Sequence, residues 1–204
     1  MSNDRRTDDK TCCCDPVRRS LLQLGAVATA AALLPGKARA DDEDDPRRME
    51  RPQVGDFLVY AGGDQEGALI IEGALNVGDE PVLAWATDPS RKILRDGTRL
   101  NQILVVRLDP STMDAETKSH AAAGFLAYSA ICTHMQCTVT GWIPEKQILH
   151  CPCHQSEYDP RHDAKVVGGP APRPLAALPL RMVDGKLQVA GEFIGKVGMN
   201  KQTM

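Results

Sequence analysis

The stretch ICTHMQCTVTGWIPEKQILHCPCHQSEYDP, residues 131–160, decides how the rest of the chain is read. Two loops stand out in it, CTHMQC at 132–137 and CPCHQSEYD at 151–159. They hold every cysteine beyond residue 14 and two of the five histidines. Six soft donors exceed the four that one structural zinc uses. Between the loops lie TVTGWI and KQILH, short β-branched and aliphatic runs separated by Pro144, so each loop sits beside a strand.

The same texture extends outward. From Gly55 onward, DFLVYAG, ALIIEG, EPVLAWAT, NQILVVRLD and GFLAYSAI are separated by Gly, Pro and Asp, the spacing of an all-β domain. In LPLRMVDGKLQVAG, Asp184-Gly185 between two alternating segments predicts a hairpin. The polar, alanine-rich STMDAETKSHAAA predicts one short helix or surface insertion starting near Ser111. Two Trp, three Tyr and three Phe are too few to build a stacking platform for bases or sugars. His120, His150 and His162 lack spaced partners and read as surface or loop residues.

The N-terminal 40 residues read as a separate segment. Arg18-Arg19 precedes an apolar run from Leu21 to Leu34, then Pro35-Gly36 and Ala38-Arg39-Ala40, the small-x-small pattern of a signal-peptidase site. This looks like a twin-arginine export signal cleaved after Ala40. Its 14-residue apolar run falls short of the roughly 20 residues that span a bilayer. Cleavage would remove Cys12, Cys13 and Cys14 and leave four cysteines, all in the two loops. Residues 41–53, DDEDDPRRMERPQ, read as a charged, solvated linker, and 54–204 as one domain. Residues 41–204 hold 17 Lys/Arg against 23 Asp/Glu, a net charge of −6. That balance, without a basic cluster, argues against nucleic acid as a partner.

On the residues alone, two other readings of the loops stay open: a tetrahedral zinc on four of the six donors, or two plain disulfides with incidental histidines. Zinc does not account for the additional cysteine in each loop. Cys151 and Cys153 sit too close together for both to bridge comfortably to a six-residue loop. The C-x-H of Cys132 and His134, followed after 16 residues by the C-x-x-H of Cys151 and His154, resembles the Rieske iron-sulfur motif. AYSAICTH, CPCHQSEYDP and GGPAP at 168–172 stand in the order of that family. The resemblance implies a Rieske fold: an antiparallel β-sandwich or barrel base domain with a small cluster-binding subdomain at about 128–175. It implies one 2Fe-2S cluster with Cys132 and Cys151 on the inner iron and His134 and His154 on the outer one. It also implies a Cys137–Cys153 disulfide, which an exported protein permits. Ser156 and Tyr158 fall where the family's high-potential members donate hydrogen bonds to cluster sulfur, implying a potential in the upper part of the roughly −150 to +300 mV range.

The family does not fix the task. A ring-hydroxylating oxygenase needs a further mononuclear iron site, and this chain has no spare paired histidines for one. The expected function is electron transfer, as the small subunit of a periplasmic oxidoreductase such as an arsenite oxidase, passing electrons to a c-type cytochrome. In that role catalysis resides in or is shared with a partner chain. The alternative is the Rieske subunit of a cytochrome bc complex, with quinol as donor, His154 facing it, Met135 in the docking surface, and the protein attached to the membrane. Gln136 and Gln155 stand where the family usually has glycine, which should reshape the surface that meets quinol.

Overall fold

Aliphatic and β-branched side chains pack well on a pleated surface, so the short runs bounded by Gly, Pro and Asp extend into strands. The computed structural model describes residues 45–199. Its strands are β1 (Phe57–Tyr60), β2 (Val82–Asp88), β3 (Ile93–Leu94), β4 (Ile103–Arg107), β5 (Phe125–Ser129), β6 (Gly141–Ile143), β7 (Ile148–Cys151), β8 (Ser156–Asp159), β9 (Lys165–Gly168), β10 (Leu180–Val183) and β11 (Lys186–Val189). The described residues form two antiparallel sheets. A base sheet runs β10-β11-β1-β2-β4-β5, with β3 beside β2, and a small sheet runs β6-β7-β8-β9. The all-β expectation holds, as a base with a smaller sheet that carries the ligand loops.

Strands β4 and β5 join the two parts, because successive residues of a strand point to opposite faces. Ile103, Val105, Phe125 and Ala127 enter the base core beside Leu58, Ala84, Leu178 and Leu187. Leu104, Val106, Leu126 and Tyr128 enter a second core with Cys132, Val139, Leu149, Cys151 and Tyr158. A strand buried on both faces must be apolar throughout, which is why ILVV and FLAY read as continuous runs. Each large apolar side chain fully buried there contributes about 1.5–3 kcal/mol. The small sheet thus rests on the far face of the base strands.

The Asp184-Gly185 hairpin forms as its dipeptide predicts. It joins β10 to β11 with Val183 opposite Lys186, and φ is 49° at Asp184 and 70° at Gly185, as a two-residue turn with both central residues left-handed requires. The stretch expected to hold one short helix or surface insertion starting near Ser111 does hold a short α-helix, but it starts at Ala115, after a separate 3₁₀ turn. Asp109 caps a 3₁₀ turn at Pro110–Thr112. Asp114 then accepts the Thr117 N–H at 2.8 Å and starts a five-residue helix, α1 (Ala115–Ser119). Two capping carboxylates close together set two starts in place of one. His120 follows α1 and is buried, with Nε2 3.2 Å from Asp163 Oδ1. The expectation of a surface or loop histidine holds for the loop, since His120 stands in the turn after α1, and is corrected for the surface: the segment folds back so that the ring packs under Asp163.

Ahead of β1, residues 45–53 are charged and largely exposed, yet they are fastened to the base. Arg95, only 3% exposed, reaches Asp56 at 2.5 Å and Glu50 at 2.8 Å, while Arg48 meets Asp96 at 2.7 Å. A buried guanidinium is tolerated when it is paired in this way. The segment at 1–40 lies outside the described residues. Among the described residues, no helix is long and apolar enough to cross a membrane.

Candidate metal centre

Two loops of the same design meet at one end of the small sheet. The first follows β5: Cys132 N–H donates to Cys137 C=O at 2.8 Å and Gln136 N–H to Cys132 C=O at 3.0 Å. The second joins β7 to β8: Cys151 pairs with Ser156, and Gln155 N–H donates to Cys151 C=O at 3.0 Å. In each loop a cysteine carbonyl closes a turn with a glutamine four residues on, and that glutamine is left-handed, with φ 60° at Gln136 and 58° at Gln155. Glycine takes this conformation at no steric cost, and here glutamine holds it.

The Gln155 amide points back into its own loop. Its Oε1 lies 2.8 Å from His150 Nε2, and its Nε2 donates to Pro152 C=O at 3.3 Å. His150, read from sequence as a surface or loop residue, lies on β7 and acquires this bracing contact.

Donors separate by depth. Cys132 and Cys151 are buried and free, whereas His134 is half-buried and His154 exposed. The two imidazole rings stand edge to face with centroids 4.7 Å apart. Cys137 and Cys153 form a disulfide that ties loop to loop. The sulfur atoms of Cys137, Cys151 and Cys153 lie within 4.8 Å of one another, but the disulfide consumes two, so Cys151 alone of these three keeps a thiol. With Cys132 and Cys151 free, the two-disulfide alternative does not form.

The surroundings favour an acceptor-rich, soft group at this spot. Ser156 Oγ is fully buried and has no hydrogen-bond partner, and neither has the buried His134 Nδ1. An unsatisfied buried hydroxyl costs about 1–3 kcal/mol unless something accepts its proton. Tyr158 OH lies 3.2 Å from Cys132 Sγ. Burial works to raise the Cys132 thiol, but the Tyr158 hydroxyl and the His134 N–H outweigh it and bring the thiol below its ordinary value. Burial, with Cys132 alongside, pushes Cys151 up, and burial with the sulfur contact raises the Tyr158 hydroxyl. Tyr158 therefore keeps its proton, with a sulfur 3.2 Å away to receive it when the thiol is ionised. Two thiols, two imidazoles and two hydroxyl donors suit a mixed sulfur and nitrogen iron-sulfur group.

The GGPAPRP loop at 168–174 closes one side. A side chain at Gly169, φ 76°, would collide with Gln155 O and meet Ser156 Cα at 2.5 Å, so only glycine permits this approach. Two residues without a ligand motif also belong to the site. Thr133 donates its N–H to Tyr158 OH at 3.3 Å and its hydroxyl to Arg173 C=O at 2.7 Å. Their sequence signal is weak: Thr133 lies inside the C-x-H pair, and Arg173 is a lone cation among prolines.

The domain family described as Rieske [2Fe-2S] domain matches residues 93–179. The "putative respiratory nitrate reductase subunit Rieske" of Haloferax mediterranei is 35% identical over 176 residues, covering 86% of this chain and 74% of that protein. The "cytochrome bc1 complex Rieske iron-sulfur subunit" of Mycobacterium tuberculosis is 35% identical over 162 residues, covering 70% of this chain but only 38% of that protein. Among solved structures, the soluble domain of Rieske protein II from Sulfolobus acidocaldarius aligns at a TM-score of 0.38 and 22% identity, over 47% of this chain and 65% of that one.

Proposed function

The chain belongs to the Rieske 2Fe-2S family, and on that premise we propose that Cys132, His134, Cys151 and His154 hold its cluster and that it serves as the small subunit of a periplasmic oxidoreductase, passing electrons to a c-type cytochrome or similar acceptor. The observation that carries the ligand reading is the repeated pairing of one buried free thiol with one outward imidazole, in two loops tied by a disulfide. When bound, the cluster supplies one-electron exchange, with a proton linked to it through the imidazole ligands.

The protein's own residues do the rest. Cys132 and Cys151 supply thiolate from inside the core, screened from water. His154 lies at the surface, where a redox partner can approach. Tyr158 OH lies 3.2 Å from Cys132 Sγ, and the buried Ser156 Oγ is without a partner among the described residues. As donors to cluster sulfur the two hydroxyls would favour the reduced state and raise the potential. Cys137–Cys153 and the 168–174 loop hold the two halves of the site in register.

The oxidoreductase-subunit reading is favoured by the breadth of similarity to the Haloferax protein, which takes in most of both chains. A second reading, the Rieske subunit of a cytochrome bc complex acting on quinol, is favoured by several relatives with that name and by Met135, 57% exposed beside His134. In the first reading the twin-arginine segment directs export and is cleaved after Ala40; in the second it directs export and is kept as an anchor.

Fractionating cells and sequencing the mature N-terminus tests the location. A soluble periplasmic protein starting at Asp41 supports the first reading; a membrane-held protein with residues 21–34 intact supports the second. For the ligands, Cys151→Ser should reduce bound iron from two per chain to almost none, and a variant with full iron content would remove Cys151 from the set.

A further inference from the structure

The C-terminal segment Ile194–Met199 has no place in the function described so far, yet it reaches the cluster loops. Ile194 and Ala177 exchange backbone hydrogen bonds at 3.0 and 2.7 Å, which directs the following residues along the flank of the first loop. Gly198 is buried there with φ 67°. A side-chain carbon on it would sit 3.4 Å from Ile131 Cγ2 and 3.5 Å from Gln136 Nε2.

One side chain fastens this segment. The Arg173 guanidinium donates to both Lys196 C=O and Gly198 C=O. A planar fork suits two carbonyls at once in a way that an ammonium does not. On its other side, Arg173 C=O accepts the Thr133 hydroxyl at 2.7 Å. Thr133 N–H in turn meets Tyr158 OH, which lies 3.2 Å from Cys132 Sγ. An unbroken series of contacts therefore runs from the C-terminal carbonyls through Arg173 and Thr133 to the hydroxyl beside a cysteine ligand.

We infer that Ile194–Met199 is a strap over the first cluster loop and that Arg173 is a positioning residue, clasping the strap so that Thr133 and Tyr158 keep their register with Cys132. The clasp holds the first loop against Tyr158, which is fully buried in the core. Without it the loop is free to drift from the hydroxyl, the hydrogen bond to sulfur weakens, and the reduced state loses stabilisation. This inference rests on Cys132 being a cluster ligand.

The test is a double-mutant cycle on the full-length, cluster-loaded protein, read by redox titration. Arg173→Ala should lower the midpoint potential and hasten cluster loss to a chelator. In a Tyr158→Phe background, the same change should leave the potential where Tyr158→Phe alone puts it. Arg173→Lys, which keeps the charge but not the fork, should behave like Arg173→Ala, and it carries the same comparison if the alanine variant does not fold. A stop after Phe193 should reproduce the potential of Arg173→Ala. Three results would overturn the clasp: an unchanged potential in Arg173→Ala, an equal fall in both backgrounds, or full recovery by lysine. The last two would mean that Arg173 acts through its charge. A wild-type protein without a mixed-ligand cluster signal would instead overturn the ligand reading beneath it.

Discussion

The base sheet and the small sheet are held together by different physics. The base rests on apolar burial, with Leu58, Ile103, Val105, Phe125 and Leu187 all at zero exposure. The small sheet contributes few large side chains of its own and rests on the outer face of β4 and β5 through Leu149 and Tyr158. Its loops are fixed by specific links: a disulfide, a glycine approach at Gly169, and hydrogen bonds through Thr133, Gln155 and Arg173. Burial is tolerant of small adjustments, whereas cross-links fix positions. The division suits a scaffold that need only persist and a site whose donors must stay in place.

Substitutions can sharpen that division. Phe125→Ala removes a fully buried ring from the base core and should cost about 3–5 kcal/mol of global stability. Urea unfolding followed by far-UV circular dichroism and by visible absorbance should shift together, because the small sheet cannot outlast the strands it lies on. Cys137→Ser with Cys153→Ser removes a cross-link between residues 16 apart, an effect of about 3 kcal/mol for such a loop. Here the two signals should separate, with visible absorbance lost first and the base sheet still folded. If both variants unfold in one step, the two parts are a single cooperative unit.

How much was legible follows the same division. Continuous apolar runs announced β4 and β5, but which residues face which core depends on strand pairing that no local pattern states. Asp184-Gly185 announced its hairpin because a two-residue turn depends only on local chemistry. The six soft donors announced the site, since their spacing is itself the signal. What stayed hidden is long-range: Arg173 meets Thr133 across 40 residues and Gly198 across 25. That His120 is buried, though it stands in a turn, depends on Asp163 far along the chain. Gln155 stays exposed at its loop tip, and its contacts to His150 and Pro152 had no signal in the sequence.

Two smaller effects probe the site alone. Tyr158→Phe deletes the hydroxyl 3.2 Å from Cys132 Sγ. A bond of about 1–1.5 kcal/mol that favours the reduced state corresponds to roughly 45–65 mV for one electron, so the midpoint should fall by that order, while the buried Thr133 N–H left without its acceptor should cost about 1–3 kcal/mol of stability. Gln155→Gly relieves a left-handed non-glycine, but it removes the contacts to His150 and Pro152 and adds chain entropy to the unfolded state. These changes oppose one another, and the urea midpoint should move by less than about 1 kcal/mol in equivalent stability. A larger loss would show that the amide contacts to His150 and Pro152, not the backbone turn, hold the second loop.

The central claim is that two thiolates and two imidazoles, one of each from either loop, hold a single 2Fe-2S cluster. Electron paramagnetic resonance of the reduced full-length protein tests it most directly, with nitrogen couplings resolved on the same sample. The account predicts the low average g of a mixed cysteine and histidine cluster and couplings from two imidazole nitrogens, one lost in each of His134→Ala and His154→Ala. An all-cysteine spectrum without nitrogen coupling, or a chain that binds zinc and no iron, would contradict it.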